Sequence, residues 1–152
     1  SIIVKLALVL SFNFLKASAN DITIIINDFD LRIDKIKNKY FLIRHDIFSP
    51  RNSVSTNFNT YSDSLKAISR KLIASRNEIF KKILDQDIEE NYLDKISKIK
   101  LKSELLNNSI SVLLYINNYH NTTNKHTLNT FGDYEAKIKR LVTFEKLFYE
   151  IK

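Results

Sequence analysis

Three histidines, His45, His120 and His126, are the only imidazoles in the 152 residues. A helical zinc site needs two ligands three or four residues apart with a third nearby. His120 and His126 stand six apart, and His45 has only Asp46 beside it, so the three read as polar surface residues. Four acids, Asp85, Asp87, Glu89 and Glu90, superficially resemble a calcium loop, but the glycine turn and the closing glutamate are missing. Acids at a helix start already have an electrostatic reason to be there.

Lys95, Lys98 and Lys102 share a face at helical spacing, with Lys100 close by, and form the best basic surface in the chain. Such a face can meet phosphate or an acidic partner, although a solvated face is the simpler reading. Tyr115 and Tyr119, four apart and with Tyr92 on the same segment, offer an aromatic patch or fill a core rim. These five residues, Lys95, Lys98, Lys102, Tyr115 and Tyr119, are the binding candidates. The serines, including Ser53, Ser55 and Ser62, have no nucleophile-elbow setting. No catalytic residue, metal ligand or cofactor is assigned.

Composition narrows the classes further. One glycine and one proline, Gly132 and Pro50, leave no material for a phosphate-cradling loop. The absence of cysteine excludes disulfides, thiolate metal sites, cysteine catalysis and a lipoprotein acylation site. Lys plus Arg outnumber Asp plus Glu by 24 to 17, giving +7. The two signs are interleaved, with no like-charge block long enough for a nucleic-acid arm.

The elements that must position these residues are helical. Ser1–Lys5 is a short basic start, Leu6–Leu15 (LALVLSFNFL) an apolar run and Ala17-Ser18-Ala19 a small-residue end, the three-part pattern of a secretory signal peptide. Cleavage between Ala19 and Asn20 would remove Lys5 and Lys16 and lower +7 to +5. The apolar run is half the roughly 20 residues a spanning helix needs. The alternative is an N-terminal helix that stays in the product. Residues 1–19 are thus read as a signal peptide and 20–152 as one helical domain.

Ile22–Ile26 is a β-branched run suited to a strand or an extended arm. Apolar residues then recur at helical spacing. Phe29, Ile33, Ile36, Tyr40 and Ile43 trace a helix over about 28–48, which Pro50 closes. Leu65, Ile68, Leu72, Ile79 and Ile83 trace a second, capped by Ser62 or Asp63, in which Glu78 and Lys82 are ordered for an i,i+4 pair. Ile88, Tyr92, Ile96 and Ile99 open a stripe that runs on through Leu106, Ile110, Leu113 and Ile116 to His120, as one helix or as two joined near 97–103. Tyr134, Ile138, Leu141, Phe144, Phe148 and Ile151 mark a last helix, capped by Thr130. Polar stretches 49–62 and 117–129 read as loops. The fold class is all-α, an antiparallel bundle of four or five helices preceded by the signal-like segment.

The apolar start KLALVLSFNFL and the Ile/Lys/Asn-rich helices, such as KAISRKLIASRNEIFKKIL over Lys66–Leu84 and the ENYLDKISKIK that follows, resemble small helical surface antigens of spirochaetes. That resemblance covers composition and helix pattern over most of the chain and carries no functional residue with it. It implies a surface antigen or host-interaction protein, since some such families bind host complement regulators. Many of them are lipoproteins with a cysteine after the signal, which this chain lacks. The expected location is therefore exported, whether periplasmic, secreted or surface-associated, without a Cys-linked lipid. The expected activity is non-enzymatic binding of a protein partner. Two alternatives are a basic module for nucleic acid or an anionic membrane, and a hydrolase whose site assembles only in three dimensions.

Overall fold

The computed structural model describes the backbone of residues 2–49, 56–121 and 128–152, and the side chains of 21–49, 57–121 and 132–152. Four helices account for nearly all of them: α1 (Ile2–Phe48), α2 (Thr56–Leu84), α3 (Glu90–Asn121) and α4 (Leu128–Glu150). Successive helices run antiparallel. Arg32 of α1 meets Glu78 of α2, Arg76 of α2 meets Glu104 of α3, and His120 near the end of α3 meets Tyr134 near the start of α4.

The seven-residue rhythm within α1 explains its length. Ile22, Ile26, Phe29, Ile33, Ile36, Tyr40 and Ile47 are buried, and Ile43 half-buried, at alternating steps of four and three. This is the a/d pattern that keeps one seam facing its partners. The run Ile22–Ile26 is therefore helix rather than strand or arm. Its β-branched preference amounts to tenths of a kcal/mol per residue, whereas burying Ile22 and Ile26 contributes roughly 1.5–3 kcal/mol each. The backbone through the Ala19–Asn20 junction belongs to α1. The side chains of the first twenty residues, and with them the signal-like segment, lie outside the described residues.

Two helices extend into stretches whose polar sequence suggests loops. Helix α2 begins at Thr56, before the expected caps Ser62 and Asp63, because Phe58 and Tyr61 pack inward: Phe58 against His120, Tyr61 against the core. Helix α3 continues to Asn121 because Asn117 is buried and donates from Nδ2 to the Phe58 carbonyl (2.8 Å). Helix α4 begins at Leu128, two residues before Thr130, whose capping side chain lies outside the described residues, as do Pro50, Ser53 and Ser55. A corner at 85–89 separates α2 from α3, closed by Gln86 N–H donating to the Ile83 carbonyl (3.2 Å).

The segment 90–121 is one helix, and it is central. Ile99, Ser103, Leu106, Ile110, Leu113 and Asn117 form one buried stripe; Leu105, Ser109, Val112 and Ile116 form a second beside it. Two adjacent stripes are what a helix needs when it packs on α1, α2 and α4 together. The buried serines bond within the helix, Ser103 to the Lys100 carbonyl (2.7 Å) and Ser109 to that of Leu105 (2.8 Å). Helices α1, α2 and α3 pack mutually, and α4 lies chiefly on α3.

Helix α4 reaches α1 through long side chains. Phe144 is half-buried against the core as its spacing suggests, and the neighbouring Glu145 is buried beside it. Its Oε2 accepts from the Tyr40 hydroxyl (2.9 Å) and lies 2.5 Å from Arg44 Nε, off the line of that N–H. Phe41 packs on Tyr149 across the same seam, with ring centroids 5.5 Å apart.

Candidate binding surfaces

Lys95, Lys98 and Lys102 do line one depression. It holds about 280 Å³ between the start of α3, α1 and the end of α4, with Ile26, Ile99, Ile151 and Lys152 as further walls. Acids already occupy part of it. Lys102 Nζ is 2.8 Å from Asp30 Oδ1 and sits over the Phe148 ring, while Lys98 pairs with Asp94 at 3.0 Å. Lys95 lies over the Tyr92 ring, 5.9 Å from its centroid. These lysines seal the junction of three helices as much as they present charge.

Tyr115 and Tyr119 are elsewhere. Thirteen residues of helix, about 20 Å, separate Lys102 from Tyr115. Tyr115 is partly covered by Lys137, whose Nζ is 5.1 Å from the ring centroid. Tyr119 stacks on Tyr134 with centroids 4.0 Å apart. The five candidates thus form no single site: the lysines share one end, and the tyrosines belong to the α3–α4 interface near the other.

His120 is not a polar surface residue. It is half-buried among Phe48, Phe58 and Tyr134, with ring centroids 5.8, 6.2 and 5.6 Å away. Burial lowers its pKa below the usual 6.5, and a hydrogen bond to the Ile47 carbonyl opposes that shift. In the neutral ring, the N–H directed at Ile47 leaves Nε2 to accept from the Tyr134 hydroxyl at 2.7 Å. Burial, with Tyr119 adjacent, raises the Tyr134 pKa, which keeps that hydroxyl a donor. The cluster ties the ends of α1, α2, α3 and α4 together. His45 is exposed, and His126 lies outside the described residues.

A larger depression, about 540 Å³, runs between α1 and α2 on the side away from α3. Its origin is local. The short side chain of Ser75 on α2 leaves space there beside α1, as Ser64 and Ala67 do in the smaller depression that adjoins it. Ile36 and Ile68 floor it, and Arg32, Lys35, Lys39 and Lys71 stand around it. Arg32 is neutralised by Asp28 (2.9 Å) and Glu78 (2.8 Å). Lys35, Lys39 and Lys71 are exposed, and none pairs with a carboxylate among the described residues. A second depression of about 260 Å³, bounded by Lys39, Leu42 and Ala67, continues it.

Beside this groove, α1 carries apolar residues that the bundle does not use. Ile24, Leu31 and Leu42 are 64%, 62% and 69% exposed. Leu31 is seven residues and Leu42 eighteen residues from Ile24, about two and five turns, so the three point the same way. Periodicity reveals the buried seam of α1 and is silent about this outer stripe, because three residues in eighteen are too sparse to register as a face.

No group of three or more His, Asp or Glu among the described residues is arranged to hold a metal, and no helix among them is long and apolar enough to cross a membrane. The acids at 85, 87, 89 and 90 are exposed around the corner before α3, where Glu90 sits in the first turn. No family model, curated protein or solved structure matches this chain.

Proposed function

We propose that the chain is an exported, non-enzymatic helical protein that acts by binding another protein, and that the outer face of α1 is its contact surface. One observation carries this reading: Ile24, Leu31 and Leu42 are each more than 60% exposed on one side of a helix whose opposite side is fully packed. Single exposed apolar residues are ordinary, whereas three in helical register make a stripe with the spacing of a helix-packing seam. Export rests on the signal-like residues 1–19, and the surface-antigen or host-interaction role on the likeness in helix pattern.

A photo-crosslinking amino acid at Leu42 or Leu31 tests it, with Val142 on the exposed side of α4 as the control position. Incubation with host extracellular protein and, separately, with periplasmic extract is expected to give a discrete crosslinked protein band from the α1 positions and none from 142. Equal labelling from α1 and α4, or none from α1, would remove the reading. A second reading, attraction of nucleic acid or an anionic membrane, draws on Lys35, Lys39 and Lys71. It requires binding to such a polyanion that falls steeply with added salt and survives loss of Leu31 and Leu42.

A further inference from the structure

Resting on that reading, we infer that the partner segment seated on α1 is an amphipathic helix with an acidic flank, its apolar edge on the Ile24–Leu31–Leu42 stripe and its carboxylates over the α1–α2 groove. The stripe is straight and about 27 Å long, the rise of eighteen helical residues. Three anchors at that spacing match a helix that repeats its apolar residues every three or four positions. An extended strand has no edge to pair with here, since all described backbone along α1 is already hydrogen-bonded as helix.

Charge decides the flank. Lys35, Lys39 and Lys71 ring one side of the stripe without carboxylate partners, while Arg32 is already held by two acids. A partner with Glu or Asp along that edge gains up to three ion pairs, and a basic partner meets three uncompensated like charges. Nucleic acid fits poorly. No aromatic side chain lines the groove for base stacking.

The test uses the full chain and two fluorescein-labelled 21-residue helical peptides. Both carry leucine at the seam positions; the flanks are glutamate in one and lysine in the other. By fluorescence anisotropy the glutamate peptide is expected to bind about tenfold more tightly, the size of three exposed ion pairs acting together. Combining K35E, K39E and K71E should reverse the preference, so that the lysine peptide binds better. A misfolded variant cannot produce that gain. L31E with L42E should abolish binding of either peptide.

Equal affinity for the two peptides, no binding of the glutamate peptide, or its retention by the L31E/L42E chain would overturn the inference. So would tighter binding of a 21-nucleotide single strand, of phosphatidylglycerol vesicles or of a second copy of the chain. Crosslinking from Leu42 to a protein while the glutamate peptide fails would sink the acidic-helix inference alone and leave the proposed function standing.

Discussion

Replacing Tyr40 with phenylalanine isolates one polar contact at the α1–α4 seam. The ring stays packed edge-on against Phe41, with centroids 4.8 Å apart, and only the hydroxyl is lost. That hydroxyl is fully buried and donates at 2.9 Å to Glu145 Oε2. Burial first, and the Glu145 charge second, raise the Tyr40 pKa far above its ordinary value, so it remains a donor at every accessible pH. A hydrogen bond to an ionised acceptor contributes about 1.5–3 kcal/mol. Glu145, itself 8% exposed, keeps Arg44 as a counter-charge, which places the expected cost of Tyr40→Phe near 2 kcal/mol. For a chain of this size that is a fall in Tm of about 4–8 °C. Urea unfolding followed by far-UV circular dichroism measures it. Combined with Glu145→Ala, the two changes should be sub-additive by about 1 kcal/mol or more, because each removes the same bond. Strict additivity, or a Tyr40→Phe effect under about 0.5 kcal/mol, would show that the bond contributes nothing and that α4 is held by its apolar face alone.

Leu113→Ala, at a fully buried position on the central helix, should cost about 2–5 kcal/mol in the same urea assay. Arg32 holds the Glu78 carboxyl down to about 2 from its ordinary 4.5, so the stabilisation is present above pH 4.5 and is lost as pH falls toward 2. Arg32→Ala should move the Glu78 carbon-13 titration midpoint upward. His120 is shifted the other way in effect: its folded pKa lies below 6.5, so the unfolded chain takes up the proton first and stability falls as pH drops below about 6.5. His120→Asn should flatten that part of the Tm–pH curve, though it loses some stability at neutral pH. Mass spectrometry of material from a secreting host should find Asn20 as its first residue.

Apolar spacing made the inner seams legible. Phe29 through Tyr40, Leu65 through Ile83 and Leu106 through Ile116 all lie where their periodicity places them. Three departures share one cause, namely polar residues that occupy inward positions. Glu145 is buried beside the apolar seam of α4, Asn117 carries α3 into an expected loop, and His120 is enclosed by three aromatic rings. In each case the residue is accommodated by a partner on another helix, Tyr40 with Arg44, the Phe58 carbonyl, or Tyr134. Such partners are 105, 59 and 14 residues away in sequence, beyond the reach of any local pattern. Ile22–Ile26 failed differently: a local β preference was outweighed by the burial of two of its five side chains.

The lysines that stand out in the sequence are not the ones the fold leaves without a carboxylate. Lys95, Lys98 and Lys102 attract notice because they are close in sequence and share a face, yet Asp30 from α1 and Asp94 already compensate two of them. Lys35, Lys39 and Lys71 attract none, because Lys71 is 32 residues beyond Lys39 and only the antiparallel pairing of α1 with α2 brings them to one groove. What marks a binding charge is the absence of a carboxylate across the fold, a property of packing rather than of composition. Apolar residues obey a parallel rule. Leu31 and Leu42 have the same chemistry as the leucines of the core, and only the packed bundle shows that no helix among the described residues covers them. In a four-helix chain whose inner seams are filled by heptads, a leftover apolar stripe beside uncompensated lysines describes the helix that is missing, apolar on one edge and acidic on the next.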